Sequence, residues 1–315
     1  MYYIVANPNS EQGSTMFLLP ILTTHLEKEG IAYDTHITTG PGDAYEKTLK
    51  FCRKANSLQG VIGIGGDGTL QEVTAAMVAA FPSADKIPIP LGIFPSSTGS
   101  DFFSSLEGGK QSADNMLKKN IDERCRNLFE SLVNKRLRAV DVGTANGIAF
   151  LNIAHIGLDV QITKNAAELK EKYDQKSYLA ATYKSIVRHK NFGLTFETVN
   201  DGQHEKNEGK YVLLAVANGQ YYGGGMRICP DAKIDDGKFT LCSVQAMSRL
   251  QLMMLFPFVL LEKHHLIKNI SFKESESVKM ALPHDIDIMS LDGNIYPCKG
   301  EIDFKILHKA LNIFV

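Results

Sequence analysis

One short stretch, residues 61–70, constrains the fold more than any other part of the chain. An apolar run enters a cluster of glycines, and an aspartate, a threonine and a helical pattern over residues 71–81 follow. This layout binds phosphate, because glycines let the backbone approach an anion and the unpaired N–H groups of the first helical turn point at it. The stretch therefore predicts a phosphate-binding turn at Gly65, Gly66, Asp67, Gly68 and Thr69.

Two common phosphate motifs do not fit this turn. No Gly-Lys-Ser or Gly-Lys-Thr follows it, so it is not a Walker A loop. Its glycines also miss the spacing of the dinucleotide-binding fingerprint. The alternative is a purely structural turn in which Asp67 only accepts hydrogen bonds. Four glycines within residues 63–68 favour the phosphate-binding interpretation.

The pattern of residues 1–137 predicts an α/β domain. Strand patterns at 2–6, 33–38, 60–64 and 90–94 alternate with helical patterns at 14–30, 44–54 and 71–81. Repeated strand–helix units form a parallel sheet with right-handed crossovers, and ligands collect at the carboxyl ends of its strands. Polar turns at 7–13, 65–69 and 96–101 follow three such ends. We expect these turns to meet at one site.

Residues 138–306 carry mostly strand patterns, which predict a β-sandwich domain. The predicted strands include 148–156, 210–218 and 286–291, and turn signals such as Asp236-Gly237 and Asp292-Gly293 separate them. Two helices are expected, at about 165–190 and 248–263. The polar segment 201–209 is expected to be an exposed loop. Residues 307–315 are apolar enough to pack back on the first domain.

Composition limits the classes of function. The 315 residues carry 34 Lys and Arg against 35 Asp and Glu, and a net charge of −1 argues against a nucleic-acid partner. Five scattered cysteines without a C-x-x-C pair indicate reduced thiols in a cytoplasmic protein. No signal peptide is expected ahead of the first strand pattern.

The apolar run 250–261 is too short for a transmembrane segment, and it contains Pro257. A buried helix is the favoured interpretation. The alternative is a surface helix that dips toward a bilayer, which would place His264, His265 and Lys268 near lipid head groups.

Several motifs in a fixed order resemble those of a known family. They are Asn7-Pro8, the glycine turn 65–69, the segment 95–102, Asn218-Gly219 with residues 222–226, residues 230–237, and Asp292-Gly293. This series resembles that of the bacterial soluble lipid kinases of the diacylglycerol kinase group, which are similar in their catalytic domain to sphingosine and ceramide kinases. The resemblance covers nearly the whole chain. The Gly-Gly-Asp-Gly turn alone is shared with NAD kinases and phosphofructokinases.

The resemblance implies an ATP-dependent kinase that phosphorylates a lipid hydroxyl, that of diacylglycerol or a related neutral lipid, with ATP and Mg²⁺. It implies an N-terminal α/β nucleotide-binding domain (1–137) of the NAD kinase and phosphofructokinase type and a C-terminal β-sandwich domain for the lipid (138–306). The nucleotide would lie between them. The protein would bind the membrane surface peripherally, with two basic groups, Lys135, Arg136, Arg138 and Lys184, Arg188, Lys190, as candidate contacts. Whether it forms a homodimer is left open.

The resemblance also implies roles for individual residues. Asn7, Ser10 and Thr39 would line the nucleotide pocket, and Thr98 and Asp101 would add polar contacts. The glycine turn and Thr69 would hold phosphates, while Asp67 would orient the turn or help to hold Mg²⁺. Asp141 matches an aspartate that helps to activate the acceptor hydroxyl. Asp236 matches a structural metal position, with a plain turn aspartate as the alternative.

The chain departs from the family pattern at the expected catalytic base. The family has Asp-Gly-Glu where this chain has Asp292-Gly293-Asn294, and a neutral amide cannot take a proton from a hydroxyl. Further departures are Glu11 for Gly, Gln71 for Asn, Ser97 for Gly and Ser100 for Asn. Three explanations stay open: Asp141 suffices alone, the substrate differs, or catalysis is weak or absent. The rival functions are therefore an NAD or small-metabolite kinase and a non-enzymatic nucleotide- or lipid-binding relative.

Overall fold

A computed structural model describes residues 1–10, 14–54, 58–95, 100–118, 121–170 and 177–315. The first domain begins with alternating strands and helices: β1 (Tyr2–Ala6), α1 (Ser14–Lys28), β2 (Tyr33–Ile37), α2 (Asp43–Lys54), β3 (Gly60–Gly65), α3 (Asp67–Ala80) and β4 (Leu91–Pro95). Three further helices complete it, which the sequence patterns did not predict: α4 (Asp101–Leu106), α5 (Lys110–Lys118) and α6 (Ile121–Asn134).

The strands of this domain form a parallel sheet in the order β2-β1-β3-β4. Both faces of β1 are buried, since Tyr3 and Val5 pack in one apolar cluster and Ile4 in the other. The first cluster includes residues of α2 and α3, and the second includes residues of α1 and α6. Burial on both faces explains why β1 and β3 are continuous apolar runs rather than alternating ones. The predicted α/β architecture is confirmed.

The second domain is built from antiparallel strands: β5 (Leu137–Ala145), β6 (Ile148–Phe150), β7 (Ile153–Gly157), β8 (Phe192–Asn200), β9 (Gln203–Ala217), β10 (Tyr221–Tyr222), β11 (Met226–Arg227), β12 (Phe239–Gln245), β13 (Ile270–Ser275), β14 (Ser277–Ala281), β15 (Ile288–Leu291), β16 (Asn294–Pro297) and β17 (Glu301–Phe314). Its helices are α7 (Leu158–Lys170), α8 (Ser177–Arg188) and α9 (Arg249–Leu260). The domain is β-sandwich-like, as predicted. One apolar cluster fills its strand layers, and another includes side chains of β9, β12 and all three helices.

Strand β17 joins the two domains. It pairs with β14 and with β5, and near its end Ile313 pairs in parallel with Leu91 of β4. Phe314 then packs with Tyr2 in the core of the first domain. The pairing of β17 with β5 shifts register between Leu307 and Leu311. The two domains therefore share a hydrogen-bonded sheet that continues through β17.

The predicted loop at 201–209 is wrong. A tight turn at Asp201 and Gly202, both with positive φ, leads into β9, which pairs residue by residue with β8. The polar residues of this segment are mostly exposed. Backbone pairing with β8 therefore forms the strand without an apolar pattern.

Other boundaries also differ from the sequence patterns. The predicted strand 148–156 is divided into β6 and β7, because the N–H groups of Leu151, Asn152 and Ile153 donate to the Asp292 carboxylate instead of to a strand. The predicted helix 165–190 is α7 and α8, with residues 171–176 outside the described part. β15 begins at Ile288 rather than at residue 286.

Helix α9, which covers most of the apolar run 250–261, is exposed on one side. The predicted buried helix is therefore wrong. Leu250 and Leu261 of this segment are 67% and 66% exposed, whereas Leu252 is 4% exposed. No helix in the described part of the chain is long and apolar enough to cross a bilayer.

Candidate functional site

Two of the three predicted turns meet at the carboxyl ends of β1 and β3. The side-chain amide of Asn7 donates to the Thr69 hydroxyl over 3.0 Å, and the Gly66 N–H donates to the Ser10 hydroxyl over 3.3 Å. The described part of the third turn joins them, because the Ser100 hydroxyl donates to Asp67 over 3.3 Å. The expected convergence of the turns is confirmed for these residues. Thr98, Ser97 and Glu11 lie outside the described residues.

A cleft of about 330 Å³ lies at this convergence. Helix α3 starts there with Gly66 as its N-cap, and no side chain of the described residues caps it. The N–H groups of a first helical turn lack the carbonyl partner four residues earlier and carry partial positive charge, so an anion can bind them. In α3 the Thr69 N–H donates to the Gly66 carbonyl over 3.0 Å. The cleft lining includes Asn7, Ser10, Thr38, Gly66, Gly68, Thr69, Glu72 and Asn294.

Two glycines of the turn, Gly65 and Gly68, lie too close to neighbouring side chains to carry a Cβ. A Cβ at Gly65 would lie 2.8 Å from the Thr69 hydroxyl oxygen, and a Cβ at Gly68 would lie 2.9 Å from the Asn294 side-chain oxygen. A side chain at either position would therefore displace a polar group that lines the cleft.

The Asp67 carboxylate holds the start of α4. It accepts hydrogen bonds from the Asp101 N–H over 2.8 Å and the Phe102 N–H over 3.2 Å, in addition to the Ser100 hydroxyl. Burial, and then the charges of Asp101 and Asp292, raise the pKa of Asp67 well above its usual value. This geometry favours the orienting role for Asp67 over the metal-binding one.

Asp101 connects the first domain to the glycine-rich turn at residues 223–225. Its carboxylate accepts from the Gly224 N–H over 3.0 Å and the Gly225 N–H over 2.6 Å. Burial raises the pKa of Asp101 to about 6, against the lowering effect of these two donors and of the Lys110 charge. This contact joins the segment 95–102 to residues 222–226, and both segments belong to the motif series that resembles the lipid kinases.

Asp292 organises the turn between β15 and β16. Its carboxylate accepts from the three successive N–H groups of residues 151–153 over 2.7–3.0 Å. Burial raises the pKa of Asp292 to about 6. Asp292 and Gly293 have φ of 48° and 88°, the left-handed conformation of a tight hairpin turn. These bonds fix the hairpin turn. The turn places the next residue, Asn294, at the glycine turn of residues 65–69.

Asn294 links the second domain to the glycine loop. Its side-chain amide donates to the Gly68 carbonyl over 2.9 Å and to the Gln71 side-chain oxygen over 2.7 Å. The Gln71 oxygen also accepts from the Tyr296 hydroxyl over 2.8 Å, while the Gln71 amide donates to the Ala149 carbonyl over 2.8 Å. Because both groups facing Asn294 are acceptors, a carboxylate at this position would meet them unfavourably.

Asp141 and Asp236 lie at a different place, the register shift of β17. The Asp141 carboxylate accepts from the N–H groups of Gly237 and Lys309, both over 2.6 Å, and contacts His308 Nδ1 at 2.9 Å. None of these partners belongs to the glycine loop. Asp236 accepts from the Lys238 N–H over 3.0 Å, as a turn aspartate does. Burial raises the pKa of Asp236.

Thr39 differs from its prediction. The neighbouring Thr38 lines the cleft, and the exposed Thr39 donates its hydroxyl to Asp43 over 3.0 Å. Thr38 continues the alignment of β2, since its N–H donates to the Ala6 carbonyl over 2.9 Å. The side chain that lies at the cleft is therefore that of Thr38 and not that of Thr39.

The described residues contain no group of three or more His, Cys, Asp or Glu side chains placed to hold a metal ion. The carboxylates of Asp67, Asp101 and Asp292 all accept backbone N–H groups instead. Mg²⁺ binds oxygen ligands that are free to coordinate it. The described side chains do not fit a preformed Mg²⁺ site here.

A second cavity, of about 90 Å³, lies in the C-terminal domain and is lined almost entirely by apolar side chains. Helices α7, α8 and α9 wall it with Ile162, Ile186 and Leu252, among others. Asp159, at the start of α7, is a carboxyl group in this lining, and burial raises the pKa of Asp159 to about 7. Sequence reasoning missed Asp159. The available signal was an acid directly after the apolar strand pattern that ends at Gly157 and Leu158.

Comparisons with known proteins identify the family. The model of the diacylglycerol kinase catalytic domain matches residues 1–145, and that of the YegS C-terminal NAD kinase beta sandwich-like domain matches residues 152–315. The chain belongs to the diacylglycerol kinase family of lipid kinases. It is a kinase-like enzyme with the two-domain fold of that family.

Individual relatives agree with this membership. A Xanthomonas oryzae protein described as "Probable lipid kinase YegS-like" is 30% identical over 70% of this chain and 67% of its own length. A similarly described relative from Alcanivorax borkumensis is 28% identical, and the match spans 65% of it. A Staphylococcus aureus diacylglycerol kinase is 26% identical over 99% of this chain and 91% of its own. A crystal structure of a Bacillus anthracis diacylglycerol kinase has the same fold, with a TM-score of 0.68 at 23% identity, covering 99% of this chain and 96% of that one.

Proposed function

We propose that the protein transfers the γ-phosphate of ATP to the hydroxyl of diacylglycerol or a related neutral lipid. The observation that carries the proposal is the pairing of a polar cleft at a helix N-terminus with an apolar cavity in the other domain. A phosphate donor suits the cleft. The cavity has room for only a short apolar segment of an acceptor, and its apolar lining favours a lipid over NAD or another polar metabolite.

The β15–β16 hairpin connects the two sites. Asn294 lies on the cleft, and β15 pairs with β7 through Ala154 and His155. Strand β7 leads directly into α7, whose first residues, Leu158 and Asp159, line the apolar cavity. The hairpin therefore connects the cleft to the strand that leads into the cavity lining.

On the nucleotide side, ATP would supply the transferred phosphoryl group. The N–H groups at the start of α3, with the side chains of Asn7, Ser10 and Thr69, are the candidates to hold its phosphates. Asp67 would keep this arrangement by binding the start of α4, and Asn294 would hold the turn through the Gly68 carbonyl. Mg²⁺ belongs to the proposal only as an ion carried by the nucleotide phosphates.

On the acceptor side, Asp159 is the proposed polar contact. An acceptor hydroxyl needs a hydrogen-bond acceptor in an otherwise apolar cavity, because an unpaired buried polar group is costly. With its pKa near 7, the Asp159 carboxyl accepts a hydrogen bond in its charged form and donates one in its neutral form. The remaining, mostly apolar lining would contact a hydrocarbon segment of the acceptor.

The chain offers no glutamate base at position 294, and Asp141 is engaged at the β17 register shift. We therefore propose that Asp141 is a positioning residue and that transfer depends on alignment of the two substrates. This is compatible with phosphoryl transfer, whose loose transition state depends mainly on positioning and electrostatics.

The test is transfer of labelled phosphate from ATP, with Mg²⁺, into mixed micelles of diacylglycerol, other lipids with a free hydroxyl, and NAD. The proposal predicts a labelled phosphate ester formed from diacylglycerol or another neutral lipid, with release of ADP, and loss of most labelling in Thr69→Ala and Asp159→Asn. Labelled NAD would establish the small-metabolite kinase instead. ATP binding in calorimetry without any labelled product across the panel would identify a non-enzymatic relative.

A further inference from the structure

The outer face of α9 is apolar and exposed. Leu250, Met254, Phe258 and Leu261 follow one another at helical spacing, and they are 67%, 56%, 40% and 66% exposed. The helix begins with a capping box in which Ser248 accepts from the Gln251 N–H over 3.3 Å. A well-defined helix therefore presents this face to solvent.

Helix α8 extends the same surface. It packs against α9 and contributes Tyr183 and Val187, which are 46% and 50% exposed. Together with Leu250, Met254 and Phe258 of α9 and its C-cap Leu261, they form what we call the α8–α9 face. These six are among the fourteen large apolar side chains that are exposed in the described part of the chain. Such a concentration marks an interaction surface rather than scattered exposure.

The two segments that carry the α8–α9 face are basic. Residues 182–190 and 246–268 contain six Lys and Arg, namely Lys184, Arg188, Lys190, Arg249, Lys263 and Lys268, against one acid, Glu262. The whole chain, by contrast, has 34 Lys and Arg against 35 Asp and Glu. The charge of this surface is therefore local, and it complements a negatively charged partner.

The inner side of the same helices lines the apolar cavity. Leu252, Leu255 and Val259 of α9 and Thr182 and Ile186 of α8 face it. The two helices thus separate the cavity from the α8–α9 face by the thickness of one helix layer. A lipid leaving a bilayer at this face would meet the two helices whose inner side lines the cavity.

We propose that the α8–α9 face docks the protein on an anionic lipid bilayer, with α9 lying in the plane of the interface. An apolar helix face with basic residues at its edge binds in this way through buried apolar area and attraction to acidic head groups. Charge selects the bilayer over a second copy of the chain, because two copies would bring their basic segments together. The biological purpose of this docking rests on the proposed lipid-kinase function. The test of the docking does not depend on that function.

The test is co-sedimentation of the full chain with vesicles of phosphatidylcholine alone or with added phosphatidylglycerol. The variants are Leu250→Glu and Met254→Glu, each of which places a charge on the face without touching the cavity lining. The matched control is Phe17→Glu, which makes the same change on α1 at a residue that is 71% exposed. Thermal unfolding of each variant verifies that the fold is intact.

We expect binding only to the vesicles that contain phosphatidylglycerol, a fall of about tenfold or more in the partition coefficient for either face variant, and no change for Phe17→Glu. Arg249→Glu should weaken binding and remove part of its salt dependence. Equal binding of the face variants and the wild type would overturn the proposal. So would a wild-type dimer in light scattering that the face variants convert to a monomer without any effect on vesicle binding. Because sedimentation needs no turnover, a failure of lipid phosphorylation in the parallel labelling assay would overturn the function alone.

Discussion

The side-chain amide of Asn294 lies 2.7 Å from the side-chain oxygen of Gln71, and both residues depart from the pattern of the resembling family. They come from different domains, since Gln71 is on α3 and Asn294 opens β16. The two departures therefore meet at one hydrogen bond between the domains.

Asn294→Asp is expected to destabilise this contact without changing side-chain size. The carboxylate loses both donated hydrogen bonds and faces two acceptors, the Gly68 carbonyl and the Gln71 oxygen. The expected cost is on the order of 1–3 kcal/mol in the free energy of unfolding, with weaker ATP binding. Chemical denaturation and calorimetry measure the two effects. Unchanged values in both would show that the contact is unimportant.

Restoring the family residue at position 294 alone should not raise activity. Asn294→Glu places a longer carboxylate against the same acceptors, whereas Gln71→Asn shortens the opposing side chain. We expect the double variant to be more stable than the sum of the single changes predicts, by about 1 kcal/mol. Chemical denaturation of the wild type, the two single variants and the double variant completes this double-mutant cycle. A gain in turnover from Asn294→Glu alone would instead support a missing base as the limiting defect.

Asp67→Ala should abolish most turnover through the position of α4. The variant removes the acceptor of the Asp101 and Phe102 N–H groups. A small displacement of groups that align two substrates costs about 10²-fold in rate. The matched control is Asp85→Ala, an exposed aspartate away from the cleft. Full activity of Asp67→Ala in the labelling assay would remove Asp67 from the site.

The sequence predicted the parallel sheet and the meeting of the Asn7 and Thr69 turns because strand–helix alternation and glycine spacing are local signals. It failed at residues 201–209, where backbone pairing with β8 forms a strand from polar residues. It also missed the Asn294 contact with Gln71 and the cavity position of Asp159. Both depend on which distant segments the β15–β16 hairpin and α7 bring together, and no local pattern reports that.

The pH dependence of stability should include a contribution from Asp292. Burial raises its pKa to about 6 in the folded state, above the unfolded value of 3.8. The folded protein therefore binds more protons than the unfolded chain between about pH 4 and 6, and stability from this group falls as pH rises through that window. Above about pH 6 the contribution is constant.

Asp292→Asn removes this titration. The difference in unfolding free energy between variant and wild type should thus change by on the order of 2 kcal/mol between pH 4 and pH 7, with the wild type relatively more stable at the acid end. Denaturant titrations at both pH values measure it. A difference that is independent of pH would show that the Asp292 pKa is the same in both states.

Asp141→Asn distinguishes a positioning residue from a catalytic base. The amide leaves one oxygen to accept from Gly237 and Lys309, and it directs a donor toward a backbone N–H. We expect a loss of about 1–3 kcal/mol in stability, since a buried hydrogen bond is lost at the register shift of β17. His308→Ala removes another partner of the same carboxylate and should act in the same direction by a smaller amount.

In the same Asp141→Asn variant, kcat measured below the unfolding transition should fall by less than about tenfold, and the pH profile of kcat should keep its shape. A general base contributes about 10²–10⁴-fold, and its removal also abolishes the limb of the profile that it causes. A loss of that size together with a changed profile would restore Asp141 as the base. A stable variant with wild-type kcat would contradict both roles, because the β17 junction would then not depend on this carboxylate.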